Sequence, residues 1–167
     1  LLPSKEIQRR FYDHIVQGTG ISWRSSDGTR IHGFLYRATR QLTGLIVYLH
    51  GGPHSHVGIS PIADIQFLVS LGFDVFAPNY RGSTGYGKEF QELLARSGGC
   101  GTGEISDILS GIEELHTMGN QYPLGITLYG GSYGGYLVWR LLTSHASHLF
   151  EAGIAINGMV DLEQDFK

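Results

Sequence analysis

The sequence predicts an α/β domain, a mostly parallel sheet with helices on both faces. Three observations carry that expectation. Short apolar runs alternate with helical periodicity after an opening hairpin, the pattern of strand–helix–strand units. The runs at 45–49, 73–77 and 125–129 are apolar nearly throughout, as in strands covered on both faces. Glycine makes up 25 of the 167 residues, about twice the usual share of roughly 7%, which suits tight loops between buried elements.

The elements follow in order. Ile21 to Arg24 and Ile31 to Tyr36 flank Ser25-Ser26-Asp27-Gly28-Thr29, and Asp-Gly between two alternating runs is a hairpin signal. Leu45 to Leu49 reads as a buried strand. Ser60 is expected to cap a helix with Pro61 at its first position. Ile62, Ile65, Leu68 and Val69 give that helix its apolar face, and Gly72 its stop. Phe73 to Ala77 is the next strand. Residues 79 to 103 are rich in glycine and loops, interrupted by a short helix over Lys88 to Arg96. Glu104 to His116 is an amphipathic helix with Ile105, Ile108, Leu109, Ile112 and Leu115 at helical spacing. Its acids Glu104 and Asp107 come early, where the macrodipole favours them. Gly125 to Tyr129 is a strand, Gly134 to Thr143 a helix with Leu137, Val138, Leu141 and Leu142 on one stripe, and Ala152 to Ile156 the last strand. No repeat, low-complexity tract or internal linker interrupts the series.

Composition excludes several functions. An apolar share of 41% is too high for a disordered chain. A net charge of −3 leaves no basic field for nucleic acid or anionic lipid, and every apolar run is too short to span a bilayer. One cysteine, Cys100, rules out a disulfide framework and points to a reducing, cytoplasmic setting. The chain opens Leu1-Leu2-Pro3 without Met or a charged-then-apolar leader and stops at Lys167 without cap chemistry. Both ends read as cut.

The chemistry concentrates at two places. Gly130-Gly131-Ser132-Tyr133-Gly134 matches G-x-S-x-G, directly after an apolar strand and directly before a periodic helix. A turn that tight leaves no room for flanking side chains, hence glycine on both sides, and it exposes the serine at the strand's end. Ser132 is therefore the expected nucleophile. His50-Gly51-Gly52-Pro53 follows the strand 45–49, where a backbone N–H is needed to bind a tetrahedral oxyanion together with the N–H after the nucleophile. Gly52 and Tyr133 are the expected oxyanion pair. Tyr80 and Tyr86 are candidates for lining a substrate pocket.

Those motifs, with Pro78-Asn79-Tyr80-Arg81-Gly82-Ser83-Thr84-Gly85-Tyr86-Gly87 and the hairpin residues Ser26-Asp27-Gly28 and Ile31-His32-Gly33, resemble the prolyl oligopeptidase family of serine peptidases, and within it the acylaminoacyl-peptidase branch. The resemblance runs from about residue 20 to the last strand. It implies an α/β-hydrolase domain whose C-terminal part is missing: 1–19 a linker or helix leading in, 20–167 the N-terminal two-thirds of the catalytic domain. It further implies hydrolysis of peptide bonds of the acylaminoacyl- or oligopeptidase type, with no cofactor and no metal. A carboxylesterase on the same elbow and a truncated or degenerate hydrolase without activity stay open as alternatives. The expected partner is a peptide substrate, with no nucleic acid and no membrane.

The constellation is incomplete within these residues. In this fold the triad runs Ser, then Asp or Glu, then His, and the resemblance places acid and base beyond the last strand. His145 and His148 are the only histidines after Ser132; they fall some three to four turns along its helix, roughly 20 Å away. Asp161 follows a strand but has no histidine to orient, and reads as a loop or capping residue. A homo-oligomer or a complementary chain is the expected source of the missing triad residues where no longer chain supplies them. Gly98-Gly99-Cys100-Gly101 departs from the family, which often shows Asp-Trp near there. As a phosphate loop the segment fails, because it lacks Gly-Lys-[Ser/Thr] and puts Glu104 where phosphate would sit. His50, His54 and His56 lack a further ligand at a metal spacing and read as loop histidines. Asn79 and Arg81 read as ties between loops.

Overall fold

The computed structural model describes residues 15–161. Six strands form one sheet: β1 (Thr19–Arg24), β2 (Arg30–Tyr36), β3 (Gly44–Leu49), β4 (Phe73–Asn79), β5 (Ile126–Gly131) and β6 (Ala152–Ile156), in spatial order β1-β2-β4-β3-β5-β6. The helices are α1 (Ala63–Ser70), α2 (Lys88–Arg96), α3 (Gly103–Thr117) and α4 (Tyr133–Leu142), with a 3₁₀ turn at Ser147–Leu149. β1 and β2 pair antiparallel through the expected hairpin, and β2 runs antiparallel to β4. From β4 to β6 all pairing is parallel.

Alternation along β3 shows why both faces are covered. Leu45, Val47 and Leu49 join Ile108, Ile112 and Leu115 of α3 and Leu137, Val138 and Leu141 of α4 in one core. Ile46 faces the other way, with Val75, Ala77 and the α1 residues Ile65, Leu68 and Val69. The linker or helix expected over 1–19 falls mostly outside the described residues, and 15–18 carry neither helix nor strand. Among the described residues no helix is long and apolar enough to cross a membrane.

Two local expectations are corrected. α1 does not start at Ser60-Pro61: its first residue is Ala63, its N-cap is Ile62 in extended conformation, and no side chain caps it. Ile62 packs on the α1-side core, and that packing outweighs the local capping preference. Glu104 lies in the first turn of α3 as expected, whereas Asp107 falls beyond that turn. Both are fully buried and hold specific partners.

Topology fixes where chemistry is possible. The chain passes from β3 through α1 to β4, then through α2 and α3 back across β3 to β5. The carboxyl ends of β3 and β5 are thereby neighbours, with Leu49 opposite Gly130. At such a reversal the loops leaving the two strands diverge and open a crevice.

Candidate active site

Ser132 is the one residue between β5 and α4, and it is exposed. Its backbone sits at φ 53°, ψ −120°, a region that costs a residue with a Cβ of order 1–3 kcal/mol. Two hydrogen bonds hold it there: its N–H donates to the Ile156 carbonyl at 2.9 Å, and its carbonyl accepts from Tyr136 N–H at 3.1 Å. The glycines around it are needed for space. A Cβ at Gly130 would run into the Gly134 carbonyl, and one at Gly134 into the Leu49 carbonyl.

Tyr133 opens α4, so its N–H has no acceptor within the helix. Gly51 abuts the elbow from β3: a Cβ there would lie 3.3 Å from Gly131 O and 3.6 Å from Ser132 Cβ. The Gly51–Gly52 peptide is oriented from behind by His50, which is buried and stacked on Tyr80 at 4.3 Å between centroids. Burial pushes the His50 pKa down to about 4, so the ring is neutral at pH 7. Nδ1 lies 2.8 Å from the Gly51 carbonyl and must carry the proton to donate to it. Nε2 lies 3.0 Å from Ser83 Oγ, whose hydroxyl donates to the Tyr80 carbonyl at 2.6 Å. Because C=O and N–H of a trans peptide point in opposite directions, fixing Gly51 O fixes the direction of Gly52 N–H.

The other candidates resolve differently. Tyr80 is fully buried and its hydroxyl donates to the His50 carbonyl at 2.7 Å; it supports the loop from beneath and has no surface for a substrate. Tyr86 is half-buried, accepts from Asn79 Nδ2 at 2.8 Å and stacks on His32. It lines a recess of about 270 Å³ with Ile21, His32 and Phe34, away from the elbow residues. A larger recess, about 360 Å³, opens between His54, Leu94, Ala95 and Cys100 beside the 50–53 loop. His54 hydrogen-bonds the Gly82 carbonyl, and His56 the Thr84 hydroxyl, each at 2.8 Å. His145 and His148 are exposed beyond the far end of α4, and Asp161 is exposed beyond β6.

Beneath the crevice lies a polar layer. Asn79 clamps Val57 through both amide atoms, each at 2.8 Å. Arg81 reaches Asp107 at 2.6 Å, Asp27 at 2.8 Å and Ser25 at 3.3 Å, so both residues tie loops together as expected. The guanidinium in turn holds the Asp27 carboxyl well below the usual carboxylate range. Glu104 accepts from Gly101 N–H and the Tyr133 hydroxyl, each at 2.5 Å, and from Thr102 N–H at 3.2 Å. Those glycine-loop amides therefore serve Glu104 and not a phosphate. No local sequence signal marks the pairing of Glu104 with Tyr133 or of Asp107 with Arg81, since these bonds join segments 29 and 26 residues apart.

A family model described as the prolyl oligopeptidase family matches residues 60–167. The chain belongs to the prolyl oligopeptidase family. Among curated family relatives, the acylamino-acid-releasing enzyme of Arabidopsis thaliana is 36% identical over 118 residues, 71% of this chain and 15% of its own length. The Pyrococcus horikoshii acylaminoacyl peptidase superposes with a TM-score of 0.78 at 29% identity, over 93% of this chain and 26% of that one. An acylaminoacyl peptidase in complex with Z-Gly-Gly-Phe-chloromethyl ketone gives 0.77 at 29% identity, over 93% of this chain and 25% of that one. The sheet is thus an α/β-hydrolase sheet similar to those of these acylaminoacyl peptidases, and the chain spans about a quarter or less of the length of the relatives it matches.

Proposed function

We propose that this chain is the nucleophile-bearing part of a serine peptidase that cleaves peptide bonds, of acylaminoacyl- or oligopeptidase type. The observation that carries the reading is Ser132, held exposed in a strained conformation at the strand–helix corner, with Tyr133 opening the helix beside it and Gly51 of the β3 loop abutting it. Residues 20–167 then belong to one catalytic domain. Ser132 Oγ attacks the scissile carbonyl, and the N–H groups of Gly52 and Tyr133 hold the oxygen as it becomes negative. Both donors are backbone groups whose direction is set before substrate arrives, so little reorganisation is needed in the transition state. A histidine that takes the serine proton and an acid that orients it come from outside these 167 residues, from a longer chain or a second one. The similarity to a peptidase solved with a peptide chloromethyl ketone supports a peptide substrate. The single, unpaired Cys100 supports a cytoplasmic setting.

The test is fluorophosphonate labelling of the protein purified from its own cells, read by intact mass and by the peptide that carries the adduct. One adduct on Ser132, lost in Ser132→Ala, is the expected result. A folded protein that stays unlabelled while hydrolysing peptides overturns the reading.

A further inference from the structure

We infer that Glu104 is a positioning residue for the oxyanion hole, acting through the hydroxyl of Tyr133. The inference rests on the assignment of Tyr133 N–H as an oxyanion donor. Glu104 is a fully buried carboxylate on the first turn of α3. Among the described residues no cation pairs with it: the buried guanidinium of Arg81 is taken by Asp107 and Asp27. Its acceptor sites face three donors. Two are the N–H groups of Gly101 and Thr102, in the loop that leads into its own helix. The third is the Tyr133 hydroxyl, from 29 residues further along the chain, at 2.5 Å.

That third bond ties the first turn of α3 to the first residue of α4, two helices that otherwise meet through the shared core and through Arg140, which donates to the Gly101 carbonyl at 3.0 Å. α3 belongs to the crossover from β4 to β5, whereas Tyr133 begins the helix that follows the nucleophile. The ring of Tyr133 is 1% exposed, set between Tyr80 and Tyr136. Burial and the neighbouring carboxylate push its pKa up, so the hydroxyl keeps the proton it donates. A bond between a charged acceptor and a buried phenol is shorter and stronger than a neutral one. Its loss leaves both groups short of a partner in a place water does not reach. Tyr133 is then pinned at both ends, with its phenol on Glu104 and its backbone at the strained corner. The N–H between them is aimed by that pair of anchors.

The test compares Tyr133→Phe, Glu104→Gln and the double variant with the parent enzyme in its native, full-length form. It reads kcat, KM for a chromogenic acyl-peptide, thermal stability, and affinity for a peptidyl trifluoromethyl ketone, which forms a tetrahedral adduct. Either single variant is expected to lower kcat about tenfold, below the roughly 10²–10³-fold of deleting an oxyanion donor outright, with KM within about twofold. Ketone affinity should fall in parallel with kcat/KM, and the double variant should be no slower than the slower single one. Parent-like kcat in folded variants, or losses that multiply in the double variant, overturn the inference. Lower stability with unchanged kcat marks Glu104 as a structural cap only and overturns it too. If Glu104→Gln does not fold, Tyr133→Phe with the ketone comparison decides alone. Ser132→Ala separates the two levels: activity retained there sinks the peptidase reading itself, while activity lost there with unaffected Tyr133→Phe sinks only the role of Glu104.

Discussion

Ser132 stands between two unlike regions. On its β3–β4 side polar groups are buried and paired. Apart from Asp74, every buried polar or charged residue described (Ser25, His50, Asn79, Arg81, Ser83, Glu104 and Asp107) belongs to the layer beneath the crevice. On its β6 side the corner is held by one backbone bond to Ile156 and the close approach of Gly135 and Gly158. There Ile154 and Ile156 remain 46% and 44% exposed. The difference teaches where preorganisation comes from. The β3–β4 side is rigidified by this chain's own long-range polar contacts, whereas among the described residues the β6 side is held by sheet pairing and by packing on α4.

The largest expected effect tests the point where the two regions meet. Ser132→Ala in the native enzyme should lower turnover by on the order of 10⁶ if the serine acts with a base. The residue from the oxyanion hole and binding is then roughly 10³–10⁴ over the uncatalysed rate. Steady-state hydrolysis of a peptide substrate measures this, and a loss under tenfold would mean that the chemistry lies elsewhere.

The locked half can be broken at Asp107. Its carboxylate and the Arg81 guanidinium are 0% and 3% exposed, so Asp107→Ala strands a buried charge at a cost of about 3–5 kcal/mol. The low end is expected, because Asp27, half exposed, still reaches Arg81. Urea unfolding reads the change, and a shift below about 1 kcal/mol would show that the layer is looser than its distances suggest.

His50 sharpens the same half through pH. Its pKa is lowered from 6.5 to about 4 by burial, so the unfolded chain binds a proton more readily than the folded one. Stability is full above pH 6.5 and falls as pH drops towards 4, by about 3 kcal/mol in all. Unfolding free energies between pH 4 and 7 should show this slope, and His50→Asn should flatten it. A parent profile that is flat over that range would place the ring in contact with water.

How far the sequence reached follows the same division. Strands and helices were legible because their periodicity is local: the helix over Lys88 to Arg96 forms at those bounds, and the strand–turn–helix context of Ser132 is visible in a dozen residues. What stayed hidden was set by contacts between distant segments. Glu104 meets Tyr133 across 29 residues and Arg81 meets Asp27 across 54. Nothing in a helix's first turn distinguishes a solvated acid from a buried one. Tyr80 misled for the same reason, since an aromatic in a loop after a strand suits a pocket wall as well as a support beneath one. It is the fold that stacks it on His50.

The smallest effect on stability belongs to the open half, and it is informative because it should be small. Ile154 on β6 is nearly half exposed, so Ile154→Thr keeps the β-branched shape and should change unfolding free energy by no more than about 0.5 kcal/mol. Its consequence lies in association. Among the described residues β6 pairs on one side only and presents apolar residues at its other edge, a template for another strand, whereas the opposite edge strand, β1, carries mostly exposed residues of polar character. The 167-residue chain alone should therefore dimerise or aggregate, and Ile154→Thr should reduce that tendency while a matching change on β1, Ser22→Thr, leaves it untouched. Light scattering across a concentration series measures both. A clean monomer for the unaltered chain would mean that β6 is shielded, and the contrast between the two sides of Ser132 would then lie in chemistry alone.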